Sequence, residues 1–304
     1  MRHPVIANAI VAAIHARLAP ALAPPPGRYR PLVAGALPVG WLDDERASRL
    51  AAHPEVFVVT ADAIRFAPQL DTADARSAAV ERVAQALADA GQLSPWRGER
   101  YAVGAGFGAP PLFLLERAAA RYFGIHTYAA HVNGLVYGDG GTAMWIARRS
   151  PQKAIDPDML DNLVGGGIAA GSGVAQTVVK ESQEEAGITA ALAAQARPVG
   201  ALHICREAPD GIQRETIFAY DLDLPPDWTP TAMDGEVVEH RLVTLQAAAA
   251  LAANTEGRDR VTVDASLVIA DCLIRHGCVA ADAPAYVALE ALRHPALHVG
   301  PVPA

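Results

Sequence analysis

Residues 165–188 constrain this chain more than any other stretch. Gly165-Gly166-Gly167-Ile168-Ala169-Ala170-Gly171-Ser172-Gly173 is too rich in glycine to hold a helix, because each glycine gives up the most backbone freedom on ordering. The segment after it, Val174 to Ala186, has a helical pattern and runs into Gly187, a residue that enters the left-handed region without steric cost. Val174 and Val178 lie four apart and supply a face that docks on a sheet. On the same helix Glu181, Glu184 and Glu185 are three and four residues apart, so they project as one cluster. Carboxylates this close repel one another unless a cation joins them, and hard divalent cations take oxygen ligands. A glutamate-rich helix alone is usually a solvated face. The glycine loop before this one, and the glycine-apolar pair that ends it, mark it as a candidate metal site.

At 304 residues the chain is long enough for two domains of ~150 residues. Ile6, Ile10, Ile14 and Leu18 recur every four residues, and His15 and Arg17 interrupt the apolar run. The amino end therefore reads as an amphipathic helix rather than a secretory signal, closed by Pro24-Pro25-Pro26-Gly27. Paired strands are expected at 56–59 and 63–66 around Thr60-Ala61-Asp62, then a helix over 71–90, capped by Thr72 and ended by Gly91. A second helix is expected over 112–122, ending at Gly124. Gly104, Gly106 and Gly108 lack dinucleotide-loop spacing and run into Pro110-Pro111, so they read as a turn. From 125 onward strands are expected at 128–136, 143–147, 198–206, 214–223 and 237–245, then alanine-rich helices. This divides the chain into a helix and linker (1–30), an accessory domain (31–124), a catalytic domain (125–280) and a tail (281–304).

A formal net charge of −8 argues against nucleic acid or an anionic membrane as a broad partner. It leaves open a small anionic substrate, because a divalent metal reverses the local sign of an acidic pocket. No stretch approaches the ~18 uncharged apolar residues of a membrane span. Cys205, Cys272 and Cys278 are too few and too scattered for a disulfide framework, which points to a reduced, cytoplasmic location.

Residues 166–188 resemble the Nudix box: a glycine, five residues, a glutamate, seven residues, then Arg-Glu-apolar-x-Glu-Glu-x-Gly-apolar. Gly166, Glu181, Glu184, Glu185, Gly187 and Ile188 match at the correct spacing. Ser172 stands in place of the first glutamate, Lys180 in place of the arginine and Ser182 at the apolar position. The resemblance implies an α/β fold, a Nudix α/β/α sandwich with a mixed sheet, preceded here by a smaller α+β domain. It also implies hydrolysis of a diphosphate linked to a small-molecule moiety, with Mg²⁺ or Mn²⁺. Glu181, Glu184 and Glu185 would be the metal ligands and catalytic carboxylates, assisted by the Gly166 backbone. Lys180 keeps the arginine's charge without its planar fork. With Ser172 it leaves open a degenerate protein that binds without hydrolysing. A further catalytic carboxylate often lies outside the box. Glu236 in Asp234-Gly235-Glu236-Val237-Val238-Glu239 is the choice, since Glu236 and Glu239 would face opposite ways on a strand.

Leu112-Phe113-Leu114-Leu115-Glu116-Arg117-Ala118-Ala119, Phe123-Gly124-Ile125-His126, His131-Val132-Asn133-Gly134 and Leu160-Asp161-Asn162-Leu163-Val164 are similar to a Nudix subgroup. This is the group associated with thiamine pyrophosphokinase in fungi, with plant relatives, and the likeness covers about residues 31–280. It implies hydrolysis of thiamine diphosphate or its oxidised analogues to the monophosphate. The alternative is a generalist acting on ADP-ribose, nucleoside diphosphate sugars or coenzyme A. Asn133, Asn162, Lys180 and Arg214 are the candidate substrate contacts; for Arg214, beside Glu215, a cross-strand ion pair is the plainer reading. His126 and His131 read as packed structural histidines.

Overall fold

The four-residue apolar spacing at the amino end becomes helix α1 (Asn8–Ala21), which buries Val11, Ile14 and Leu18. The structure, a computed structural model, describes residues 5–23 and 25–294. Residues 1–4, Pro24 of the proline cluster and 295–304 of the tail lie outside the described residues.

The accessory region follows as β1 (Tyr29–Ala34), β2 (Leu37–Asp43), α2 (Asp44–Leu50), β3 (Phe57–Val59), β4 (Ile64–Phe66), α3 (Ala73–Asp89), β5 (Arg100–Val103) and β6 (Phe113–Glu116). Its four-stranded sheet has the order β2-β1-β4-β3, and β5 and β6 form a separate hairpin. Thr72 caps α3 by accepting a hydrogen bond from the Ala75 amide at 3.1 Å. The helix expected over 112–122 is instead β6 followed by a 3-10 turn, Arg117–Ala119. Phe113 and Leu115 alternate into the core while the backbone pairs with β5, a partner that short-range periodicity does not reveal.

The larger region comprises β7 (His126–Gly138), β8 (Gly141–Arg149), β9 (Leu160–Asn162), β10 (Val164–Gly167), α4 (Val174–Ala186), α5 (Ala190–Ala193), β11 (Arg197–Ala208), β12 (Gly211–Asp223), β13 (Val237–Thr244), α6 (Leu245–Ala253), α7 (Val263–Arg275) and α8 (Pro284–Leu292). Its seven-stranded sheet runs β11-β12-β7-β8-β13, with β10 on β7 and β9 on β8. The β12–β7 pair is parallel and the others antiparallel, so the sheet is mixed. One face packs α4, through Val178 and Ala186, and the following Ile188 against Val132, Leu163 and Val164. The other packs α1, α6, α7 and α8 over Leu135, Met144, Ile146 and Leu202. This is the mixed-sheet α/β/α sandwich expected, with a smaller α+β unit before it. Among the described residues no helix is long and apolar enough to cross a membrane.

Candidate active site

The glycine loop becomes the short strand β10, whose four residues pair with β7 from Val164↔Val132 to Gly167↔Ala129. It lies beside α4, which ends where the left-handed Gly187 (φ 67°) turns the chain. The Gly187 amide donates to the Gln183 carbonyl and that of Ile188 to the Ser182 carbonyl, closing the orphan carbonyls. Ser182, at the usually apolar box position, is fully buried and its hydroxyl has no hydrogen-bond partner.

The three glutamates share one face but differ in setting. Glu185 is buried, and one of its carboxylate oxygens accepts the Gly165 amide at 2.8 Å. Burial pushes its pKa up to about 8; the Gly165 amide and the Lys153 ammonium oppose that rise, while Asp161 and Glu181 add to it. Glu181 lies against the Gly166 backbone: a Cβ built there would stand 2.4 Å from the Glu181 Cγ. Glu184 is the most open of the three. Lys180 bridges Glu181 at 2.9 Å and Glu184 at 3.0 Å. Burial tends to lower the Lys180 pKa, but the hydrogen bonds to both carboxylates outweigh it and raise it.

The role of Gly166 is therefore steric. Gly166→Ala is expected to push Glu181 off its seat and lower kcat by at least about tenfold, against a stability loss of about 1–2 kcal/mol. Steady-state turnover measured beside a urea melt would check this, and unchanged kcat would remove the steric argument.

Glu236 precedes β13 and its carboxylate is hydrogen-bonded to the Lys153 ammonium, with Arg97 3.8 Å away. Glu239 turns away into an ion network with Arg148 and Arg241. Sequence reasoning passed over Lys153, Arg97, Asp161 and Arg149. For Lys153 a signal existed: Lys153 and Lys180 are the only lysines among 25 basic side chains, and both stand at this cluster.

Asn133 and Asn162 sit inside the sheet. Both are buried, and their side-chain groups are spent on each other and on neighbours within the domain. Asn133 donates to Asp221 at 3.0 Å, Asn162 donates to Asn133 at 3.2 Å, and His131 Nδ1 donates to Asn162 Oδ1 at 2.8 Å. These bonds brace the sheet from within. The chain of bonds reaches the box at Gly165, where a Cβ would meet the His131 ring at 3.1 Å. Arg214 is brought to a cavity. It donates to the Gly124 carbonyl at 3.2 Å, whereas Glu215 accepts from Thr127 and Gln213, each at 3.0 Å. That cavity lies between the two units: Tyr101, Arg117 and Arg121 from one side, Gly165, Gly166, Gly167, Asp161 and Arg214 from the other.

The donor set fits a hard divalent cation. Carboxylate oxygens are the donors such a cation takes, and the buried Glu185 is destabilised as an anion unless positive charge is added, although the three carboxylates are not gathered within 4.8 Å of one another.

A family model described as the NUDIX domain matches residues 127–265. Residues 127–265 are a Nudix domain. A second model, a domain of unknown function (DUF4743), matches residues 25–127 ahead of the Nudix domain. Among curated relatives, Nudix hydrolase 24, chloroplastic, of Arabidopsis thaliana is 42% identical over 72% of this chain and 60% of its own length. Nudix hydrolase 20, chloroplastic, of the same plant is 41% identical over 70% and 56%. The uncharacterized protein YJR142W of Saccharomyces cerevisiae is 33% identical over 66% and 61%. The chain thus spans about 60% of the length of the curated relatives it matches.

Proposed function

We propose that this protein is a metal-dependent Nudix hydrolase that cleaves the diphosphate linkage of a small organic diphosphate. The observation that carries the reading is the seating of Glu181, Glu184 and Glu185 on one helix face, two of them locked against Gly165 and Gly166, within a Nudix domain. These three glutamates would hold Mg²⁺ or Mn²⁺, which supplies Lewis acidity toward the phosphate oxygens and water. The residues of the chain do the rest. The Gly165 amide fixes the Glu185 carboxylate, Lys180 holds Glu181 and Glu184 in register, and Glu236 is the candidate base for the attacking water. The cavity walled by both units would take the organic moiety.

Thiamine diphosphate and its oxidised analogues are the first candidates, on the likeness of segments 112–119, 123–126, 131–134 and 160–164 to the thiamine-linked subgroup. Product analysis of purified protein with Mg²⁺ or Mn²⁺ tests this, with thiamine diphosphate, its oxo and oxy analogues, ADP-ribose and a nucleoside diphosphate sugar as the panel. Monophosphate formed from the thiamine compounds alone supports the assignment; turnover of nucleotide compounds alone discards it and keeps the diphosphatase. A binding protein without turnover is the second reading. It is favoured by Lys180, whose ammonium already neutralises two of the three carboxylates, and an inert panel would select it.

A further inference from the structure

The glycine-proline turn between β5 and β6 carries Phe107, which is 49% exposed. The turn is tied at its base by the Leu112 amide donating to the Val103 carbonyl at 2.7 Å. Within it the Ala109 amide donates to the Gly106 carbonyl at 3.1 Å, and Gly108 takes a left-handed φ of 75°. The Phe107 ring reaches across to the Nudix sheet. Its centroid lies 4.9 Å from that of Tyr128 on β7 and 4.8 Å from that of Phe218 on β12, and His126 stands 4.7 Å from Tyr128.

Beside these rings lies a cavity of about 500 Å³, with the Phe107 turn as one wall and the box loop from Ile168 to Ser172 as the other. Among the described residues that line it there is no Asp, Glu, Lys or Arg. Burial lowers the His126 pKa to about 4, with Arg214 and His203 adding to the shift, so that ring is neutral at neutral pH. The cavity beside Gly165, Gly166 and Gly167 is charged by contrast, and the two meet at Tyr101 and Thr127, which line both. Tyr101 is buried, and its hydroxyl stands over Gly167, where a Cβ would be 2.2 Å away. No hydrogen bond engages that hydroxyl among the described residues.

A plain seam between two packed regions fills its space with side chains. This one stays open, and a Cβ on Gly106 would meet nothing within 4 Å. Uncharged aromatic faces suit a planar ring, stacked or edge-on, and the Tyr101 hydroxyl supplies a hydrogen bond for a polar edge atom. The same placement gives Ser172 a use. A glutamate there would set a carboxylate at the mouth of a cavity that has no cation to pair with it.

We propose that the cavity between the Phe107 turn and the box loop is a ring-binding slot. It takes a planar aromatic ring with polar edge atoms, the far end of the substrate's organic moiety, and Phe107 sets the selectivity for it. The ring's identity as part of a substrate rests on the diphosphatase reading above. Phe107 itself lies outside the residues that the Nudix model matches, so ring recognition belongs to the accessory region.

The test titrates thiamine and adenosine, two rings without phosphate, calorimetrically into the metal-free whole chain and into Phe107→Leu, Phe107→Tyr and Gly106→Trp. A thermal melt accompanies each variant. One ring is expected to bind the wild type, and which one does so names the ring chemistry. Phe107→Leu keeps apolar bulk and loses the π face, so it should weaken that ring about fivefold, whereas Phe107→Tyr should hold the affinity. Gly106→Trp fills the slot and should weaken it about tenfold or more. For a panel compound that is turned over, Phe107→Leu should raise KM in step and leave kcat nearly unchanged. A wild type that binds neither ring would overturn the slot, as would affinity unmoved in folded Phe107→Leu and Gly106→Trp. Turnover that is lost in Glu185→Gln yet indifferent to Phe107 would discard the slot and keep the hydrolase. Ring binding that depends on Phe107, in a protein that turns over nothing, would keep the slot and sink hydrolysis.

Discussion

Glu185→Gln is expected to cut kcat on the order of 10³-fold, about 4 kcal/mol of transition-state stabilisation, while leaving the fold intact. Glutamine keeps the size and an oxygen that can accept the Gly165 amide, but it cannot carry the charge that a cation requires. The stability side of the same substitution has a definite sign. With no cation bound, burial holds the Glu185 proton up to about pH 8, whereas an unfolded chain releases it near 4.5. Between those values the folded state binds more protons, so the wild type loses stability as pH rises through that window. Glutamine removes that slope. The variant should therefore melt no lower than the wild type at pH 8 without metal, and Mg²⁺ should raise the wild-type midpoint more than the variant's. A variant that retains wild-type turnover, or gains as much stability from Mg²⁺, would take Glu185 out of the metal site.

The second large effect lies away from the glutamates. Asp221 on β12 is nearly inaccessible and accepts from Asn133 at 3.0 Å, Arg275 at 2.6 and 3.0 Å, and His276 at 3.1 Å. Cys272 also approaches, and Asp221, Cys272 and His276 lie close enough for a shared ion. The bidentate arginine already occupies the carboxylate, so the group serves as an ion-pair hub. Asp221→Ala is expected to destabilise the protein by about 3 kcal/mol, because it leaves the Asn133 amide without its acceptor and strips Arg275 of its bidentate partner, leaving it only Asp271. Urea unfolding midpoints at constant slope would show it, and a loss under about 1 kcal/mol would mean the hub is dispensable. Burial alone would raise the Asp221 pKa, but His276 and Arg275 pull it well below the ordinary 3.8. That stabilisation is fully present above about pH 3.8 and is lost as pH falls through the depressed folded value, so the gap between wild type and Asp221→Ala should narrow in strong acid.

The helix that carries the glutamates was legible because each of its signals is local. The glycines, the four-residue valine pair and the terminal Gly187 all lie within 24 residues, and α4 occupies the span they indicate. The segment 112–122 misled for the opposite reason. Leu-Phe-Leu-Leu suits a helix or a buried strand, and only the pairing with β5 decides between them. Asn133 and Asn162 show a different limit, since a polar residue on a strand reads alike whether it lines a cavity or bonds inside a core. Lys153 meets Glu236 across 83 positions, a closeness no motif spacing encodes. Its trace in the sequence was rarity: one of two lysines in an arginine-rich chain.

Helix α1 carries one more consequence. It comes first in the chain, ahead of the accessory strands, yet Ile6, Val11, Ile14, Leu18 and Leu22 share a core with α6, α7 and the Nudix sheet. Arg17 donates to the Ala252 carbonyl and the Ser266 hydroxyl, fastening it there. The core beneath the Nudix sheet is thus completed by a helix that the accessory region separates from it in sequence. Cutting the chain at residue 127 would strip one wall from a shared hydrophobic interior, and the severed piece should aggregate where the whole protein stays dispersed.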